Sequence, residues 1–411
     1  MASGNKDVFS IFSATLDSLL RHAVAGHDRV VAGGDGGEDS QQAITGMKSL
    51  AVATEPLVVA VALSGGGDSM ALCHMAGRWA RARTEQGLPT RVLALTVDHG
   101  LRANSAAEAV DVARFVQDFC ADFGADFGAD FGADFGTDFG TDFGCGSDCV
   151  THQILTLDWP DGKPTTKIME QARARRYQAM TAFCQAQNIK ILMPAHHRDD
   201  QAETLLFRLA KGSGLDGLAA MRAVQAYEGG AVHIVRPLLS VSHEALIEYC
   251  KEQGLSWVED PTNREETYSR NRIRSARSVL EAEGLNSKRL YQTSLRIARA
   301  AQALDVYAQA ALDAAWMGGD ADRGQDTGAA CLDWGRVGQE PREIVLRVIL
   351  AAYERVAPAR EYRPRMERME HLMERMMDDA SFKSACLGGC VFTLRRSKAR
   401  VTLDIRREDM S

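Results

Sequence analysis

Leu63-Ser64-Gly65-Gly66-Gly67-Asp68-Ser69-Met70 stands between an apolar run over residues 56–63 and a helix-compatible run that reaches Arg83. The apolar run has the continuous hydrophobic character of a strand buried on both faces of a parallel sheet. A strand, a glycine turn and a helix start together make an anion site, because the turn's N–H groups and the positive end of the helix point at one spot. Glycine lets backbone approach a phosphate with no Cβ in the way. Ser64 and Ser69 add hydroxyl donors, and Asp68 adds a carboxylate suited to holding Mg2+ against phosphate oxygens. Gly65, Gly66 and Gly67 alone would be an ordinary turn; the serines and the aspartate beside them favour phosphate. No lysine follows the glycines, which excludes the Walker pattern.

Outward from this loop the chain alternates strand and helix. Residues 91–97 read as a second buried strand ending in Asp98-His99-Gly100-Leu101-Arg102, polar residues where parallel sheets bind ligands. Ser105 then caps a helix to about residue 120, with Glu108 at capping-box spacing. Residues 121–144 are six tandem tetrapeptides ending in Asp-Phe-Gly. Asp-Phe-Gly is a kinase signature only as a single copy beside a catalytic loop. Six copies in a row, with a helix-disfavouring glycine in each, predict a disordered insertion. Strand, helix and strand resume over residues 150–157, 166–187 and 189–193. The order β-α-β-α-β-α-β predicts an α/β fold with a doubly wound parallel sheet. Upstream, Ile11, Phe12, Leu16, Leu19 and Leu20 have helical spacing, and residues 25–40 read as a Gly- and Asp-rich connection.

Composition sets the class. The chain has 411 residues, 45% hydrophobic and 25% charged, typical of globular domains and long enough for two or three of them. No apolar run approaches the roughly 20 residues of a membrane span, and residues 1–7 lack the apolar core of a leader, so cytoplasmic location is expected. Nine cysteines, an odd and scattered set, suggest reduced thiols. Cys145/Cys149 and Cys386/Cys390 could in principle make a four-thiolate zinc site, but one pair borders the repeat tract and the other lies between strand-like segments, which favours unpaired structural thiols. Net charge is −7, but its distribution is uneven: residues 1–269 carry −12, residues 270–308 carry +5 and residues 341–411 carry +4. The C-terminal half is therefore where a polyanion would dock, although Arg-rich solvated helix faces give the same pattern.

After the strand at 189–193 comes Pro194-Ala195-His196-His197-Arg198-Asp199-Asp200-Gln201-Ala202-Glu203-Thr204. A helix starting near Asp199 places Asp200, Glu203, Thr204 and Phe207 on one face. Acids in a first turn suit a helix N-terminus by themselves. Two histidines and three acids at the sheet edge that also carries the glycine loop exceed what a cap requires.

The motifs SGGGDS, VDHGLR, ExxARxxRY (Glu170, Arg173, Arg176, Tyr177), HHxDDQAET, GSGxxGL, RPLL, EDPTN and RNxIR occur in this order over residues 56–280. This series resembles the tRNA(Ile)-lysidine synthetase family of the PP-loop ATP-pyrophosphatase superfamily. The resemblance implies an adenine-nucleotide α-hydrolase-like PP-loop domain followed by a mainly helical domain and a small C-terminal β element. It implies a ligase that uses ATP and Mg2+ to adenylate carbon 2 of the wobble cytidine in the CAU anticodon of tRNA(Ile). L-lysine then displaces AMP to form lysidine. Its domains would be residues 1–48, a helix and flexible connection; 49–265, catalytic, with the insertion at 121–144; 266–360, helical and tRNA-binding; and 361–411, a small C-terminal region.

On this resemblance Ser64, Gly65, Gly66, Gly67, Asp68 and Ser69 hold the triphosphate, with Asp68 also the metal ligand. Asp200 and Glu203 take the amino groups of lysine. Arg173 or Arg176 meets its carboxylate or the α-phosphate, and His196 or His197 serves as base for the attacking amine. Arg270, Arg272 and Arg274 grip anticodon-stem phosphates, or else pack on the acidic domain. A homodimer is left open and a membrane partner is not expected.

Farther on, residues 290–315, 341–356 and 365–377 read as helices, 318–327 as a loop and 386–405 as strands turning at 387–390 and 395–400. Met366, Met369, Leu372, Met373 and Met376 form a core stripe. Two alternatives are weighed. A PP-loop tRNA thiolase needs paired or persulfide-bearing cysteines near the loop, where only Cys73 occurs. A non-catalytic tRNA-binding protein would be expected to lose Asp68 or the Asp200/Glu203 pair, and both are intact.

Overall fold

The computed structural model describes residues 7–24, 56–102, 104–121, 149–159, 162–164, 166, 168–258, 276–319, 329–357 and 364–408. Most of the repeat tract, the EDPTN motif at residues 259–263, Cys145 and the candidate residues Arg270, Arg272 and Arg274 lie outside that set. The chain divides into two compact units, residues 1–213 with 217–296, and residues 214–216 with 297–411.

The first unit is built on a six-stranded sheet in the order β3-β2-β1-β4-β6-β5. Its strands are β1 (Leu57–Ala62), β2 (Thr90–Asp98), β3 (Val150–Thr156), β4 (Ile191–Pro194), β5 (Val224–Ala226) and β6 (His233–Val235). The first four and β6 run parallel, as the alternating pattern predicts. β5 pairs antiparallel with β6, so the sheet is mixed at that edge. The connection explains it: a few residues, with Gly229 and Gly230 at φ of 78° and 75°, allow a reversal but no crossover.

Both sheet faces are covered, which is why the central strands are apolar throughout. Val59, Val61, Val92, Ala94, Ile191 and Met193 pack into one core with Phe12, Leu16 and Leu19 of α1 (Val8–Val24). Met70, Leu72 and Trp79 of α2 (Gly67–Glu85) and Val112 and Val116 of α3 (Ser105–Ala121) complete that core. The alternate residues, Ala60, Leu93, Leu95 and Leu192, face Met180 and Cys184 of α4 (Ile168–Ala186). Trp79 buries its ring and donates its Nε1–H to Asp17 at 2.9 Å. At α3 the expected serine cap is displaced by one position: Glu108 N–H bonds Asn104 C=O, and the Ser105 hydroxyl donates to Arg102 C=O at 3.1 Å. Ser105 is thus the first helical residue, and Asn104, which also favours the cap, precedes it.

The unit continues with α5 (Arg198–Ala210), the short α6 (Leu215–Leu218), α7 (His243–Glu252), α8 (Arg277–Ala282) and the start of α9 (Ser287–Ala315). Residues 214–216, at the start of α6, belong to the second unit.

The second unit holds an antiparallel sheet, β7-β8-β11-β10-β9. It is formed by β7 (Trp316–Gly319), β8 (Ala329–Asp333), β9 (Ser384–Leu387), β10 (Cys390–Arg396) and β11 (Val401–Arg407). Residues 318 and 319, expected in a loop, pair with Cys331 and Ala330 instead. The β8 edge supplies hydrogen-bond partners that local glycine content does not reveal. α10 (Trp334–Val337), α11 (Arg342–Val356) and α12 (Met366–Asp378) pack on this sheet. Met369, Leu372, Met373 and Met376 are buried as the stripe predicts, while Met366 at the helix start is exposed. Arg347, only 7% exposed, is ringed by Asp305, Asp216 and Glu343.

Candidate functional site at the carboxyl edge of the sheet

The sheet reverses its order of growth between β1 and β4, and the crevice beyond the carboxyl ends of these strands is where parallel α/β folds bind ligands. The glycine loop leaves β1 there. Gly65 has φ +84°, and a Cβ on it would come within 2.4 Å of Val112 Cγ2. A Cβ on Gly67 would meet Ile247 Cδ1 at the same distance. The Ser69 hydroxyl donates to Gly66 C=O at 2.9 Å and accepts the Ser64 N–H at 3.2 Å, closing the turn on itself. Ser64 stays exposed at the mouth, and α2 begins at Gly67 with its positive end toward the loop.

Asp68, in the first turn of α2, is the hub. Its Oδ1 lies 2.8 Å from His243 Nδ1, and its Oδ2 lies 3.4 Å from His197 Nε2. The same His197 nitrogen is 3.5 Å from Asp200 Oδ2. His197 thus joins the carboxylate of the glycine loop to an acid of α5. Burial pushes the Asp68 carboxyl up, but hydrogen bonds from His197 and His243 and their positive charge outweigh it and bring it to about 2. Burial pulls the His197 imidazole down, but its bond to Asp68 and the charges of Asp200, Asp68 and Asp199 raise it to about 9. His197 is therefore protonated at neutral pH, a cationic donor rather than a free base.

The start of α5 arranges the acids. His197 is the N-cap, and its backbone N–H donates to Asp200 Oδ2 at 3.0 Å, the return half of a capping box. Asp199 accepts the His243 backbone N–H at 2.9 Å and pairs with Arg277 at 2.9 Å. Asp200 instead shares the His197 Nε2 atom with Asp68. Glu203 sits one turn beyond Asp199 in a pocket that also contains Ala202, Leu206, Arg277 and Leu280.

A second, basic group lies beside this acidic one. Arg236 follows β6 and is 7% exposed. It donates to Arg222 C=O at 2.7 Å, Gln225 Oε1 at 3.3 Å and His196 Nδ1 at 3.3 Å. Burial pulls its guanidinium down to about 10, still charged at neutral pH. Arg173 Nη2 is 3.1 Å from the other nitrogen of His196, and its guanidinium lies over the Tyr177 ring. Arg176 is half-buried on the same helix; burial, then the charge of Arg173, lowers its pKa. His99, past β2, is lowered by burial and then by the charge of Arg176.

Of the expected residues, the structure brings Ser64 through Ser69, Asp68, His197 and Asp200 together. Glu203 is in the adjoining pocket, and Arg173 is in the basic group. His243, Asp199, Arg277 and Arg236 join the site without having been singled out for it. Ser242, an N-cap that accepts from Ala245 N–H, is the one local signal that places His243 at a helix start. Asp68, His197 and His243 are also the group of metal-ligating side chains gathered among the described residues. One carboxylate beside a phosphate loop fits Mg2+, which commonly takes one or two carboxylates plus substrate phosphates. The two imidazoles, poor ligands for that ion, fit as its hydrogen-bonded surroundings. Cys250 donates its thiol to Gly67 C=O; burial pushes that thiol up to about 12 and raises Cys73 as well, so neither supplies a ready thiolate.

The PP-loop domain family model matches residues 38–281. A tRNA(Ile)-lysidine synthase of Wolbachia pipientis wMel is 32% identical over 332 residues, covering 81% of this chain and 67% of that one. The enzyme of the same name from Bradyrhizobium sp. BTAi1 is 34% identical, covering 78% and 79%. That from Methylobacterium nodulans is 35% identical, covering 77% and 80%. No helix among the described residues is long and apolar enough to cross a membrane. A glycine loop with its carboxylate, an acidic helix on the same rim and relatives aligned across both units agree: the chain belongs to the tRNA(Ile)-lysidine synthase family of PP-loop ATP-binding proteins.

Proposed function

We propose that this chain joins L-lysine to carbon 2 of the wobble cytidine of tRNA(Ile) bearing a CAU anticodon. ATP first adenylates the oxygen on that carbon with release of pyrophosphate. The lysine ε-amine then attacks carbon 2, AMP leaves with the oxygen, and lysidine forms. The adenylation is needed because an amide-like oxygen is a poor leaving group and AMP a good one. The observation that carries the reading is His197, which stands between Asp68 on the phosphate side and Asp200 on the acidic side.

Ser64 through Ser69 cradle the triphosphate with backbone N–H groups and hydroxyls. Asp68 would hold Mg2+, whose positive charge would offset the negative charge of the phosphate oxygens. His197, protonated among three carboxylates, donates to negative charge developing at the rim and keeps Asp68 and Asp200 from repelling each other. Asp200 and Glu203 receive the two amino groups of lysine; Leu206 and Leu280 beside Glu203 suit its aliphatic stem. Arg176 and Arg173 face the anionic parts of the reactants. Arg270, Arg272 and Arg274 contact the tRNA backbone.

The test is incubation of the full chain with radiolabelled lysine, ATP, Mg2+ and a CAU-anticodon tRNA(Ile) transcript. Label in the tRNA that depends on ATP is the expected result. Label in no tRNA, with active ATP–pyrophosphate exchange, would overturn the choice of acceptor.

A further inference from the structure

Behind the phosphate loop, Tyr249 of α7 and His74 of α2 are both buried, and neither reaches the carboxyl edge of the sheet in the reaction described above. The Tyr249 hydroxyl lies 2.8 Å from His74 Nδ1 and 3.3 Å from Arg78 Nη1. Arg78 only donates, so the hydroxyl oxygen accepts from it. A buried hydroxyl hydrogen needs an acceptor, and His74 Nδ1 is the one within reach among the described residues. Burial raises the Tyr249 pKa, so the hydroxyl keeps the hydrogen it donates. Arg78 is fixed in turn over the Phe9 ring of α1, 4.1 Å from its centre.

The same two helices meet again at the loop itself, about two turns before His74 on α2. There Cys250 donates its thiol to Gly67 C=O at 3.3 Å, and Ile247 Cδ1 fills the space that a Cβ on Gly67 would take. His243 Nδ1 reaches Asp68 Oδ1 at 2.8 Å, with half of its side chain exposed. Packing alone therefore does not hold the His243 ring; the seat of α7 on α2 does. A thiol is a weak donor and an isoleucine contact has no direction, so neither fixes that seat sharply. A hydroxyl bonded to one donor and one acceptor does. We propose that Tyr249 is a positioning residue: bonded to His74 and Arg78, it fixes α7 along α2 and so holds His243 against Asp68 where the nucleotide phosphates bind. Tyr249 acts through His243 and touches no reactant. The inference rests on the reading above only for Mg2+ and ATP at this loop, not for what is adenylated.

The experiment is calorimetric binding of ATP with Mg2+ to the full chain and to Tyr249→Phe, His243→Gln and the double variant. Tyr249→Phe should weaken binding about fivefold, the worth of one hydrogen bond. In the His243→Gln background the same change should have no further effect, because the two residues act in series. Effects that multiply in the double variant would show that Tyr249 does not act through His243 and overturn the proposal. Unchanged affinity in Tyr249→Phe, with a lowered melting temperature, would leave the hydroxyl a purely structural role and overturn it too. His74→Asn and His74→Leu serve if Tyr249→Phe does not fold. The amide oxygen of the first can stand in for Nδ1 as acceptor, so it should keep most of the affinity that the second loses. Equal affinities in this pair overturn the role of the hydroxyl bond. Neither tRNA nor lysine enters the measurement, so its outcome is independent of whether lysidine is formed.

Discussion

Asp68 Oδ1 and His243 Nδ1 lie 2.8 Å apart, although the two residues are separated by 175 positions in the chain. Asp68 sits in the first turn of α2 and His243 is the first residue of α7, so two helix starts meet over the phosphate loop. With His197 on its other oxygen, the carboxylate is held in one orientation before any nucleotide arrives.

Asp68→Asn should therefore lower ATP–pyrophosphate exchange by about 100-fold or more, as loss of an ionic group at a reacting phosphate does. It should also lower the pKa of His197, whose bond to Asp68 is the leading influence raising it. Exchange kinetics and the ring titration of His197 measure the two effects, and an unmoved His197 would contradict the geometry.

Asp200→Asn and Glu203→Gln keep size and remove charge. Each should raise the lysine KM about tenfold or more, because a charge-assisted bond becomes a neutral one. Exchange of ATP with pyrophosphate should persist in Glu203→Gln. Asp200→Asn also touches the cap of α5 and should cost about 1 kcal/mol of stability. Unaltered lysine KM in both variants would remove the proposed role.

Acid and base act on Asp68 and His197 in opposite directions. His197 is raised from 6.5 to about 9, so its contribution to stability is complete below pH 6.5 and is lost as pH rises toward 9. Asp68 is lowered from 3.8 to about 2, so its contribution is present above pH 3.8 and is lost as pH falls toward 2. Thermal melting of the unaltered protein should lose more stability between pH 6.5 and 9 than that of His197→Gln. Parallel curves would show that the imidazolium is not held as described.

Gly65→Ala introduces a Cβ 2.4 Å from Val112 at a left-handed backbone position. It should cost about 1–3 kcal/mol and weaken ATP binding as the loop shifts. Gly66→Ala meets nothing closer than 3.8 Å and should cost less. Denaturant melts of both variants give the comparison.

Arg347→Met should destabilise the second unit by about 2 kcal/mol, below the 3–5 kcal/mol typical when a fully buried pair is broken. Its partners Asp216 and Glu343 keep 45% and 42% exposure and can be rehydrated. Calorimetry of the variant tests this.

The glycine loop, the parallel strands and the histidine-acid motif were legible because each is a local pattern. A buried strand needs continuous apolar residues, and a phosphate turn needs glycines beside hydroxyls. The antiparallel β5 and the strand at 316–319 were not legible, because their hydrogen-bond partners come from elsewhere in the chain. The same division holds within the site. Sequence alone placed Asp68, His197, Asp200 and Glu203 at strand ends and on one helix. Tertiary structure decided that Asp68 meets the same His197 nitrogen as Asp200 while Asp199 pairs with Arg277, that His243 completes the hub, and that Arg236 lies behind His196. The reason is physical: spacing along a helix or strand determines which residues share a face, but the charge state and tautomer of an imidazole depend on what distant segments set against it.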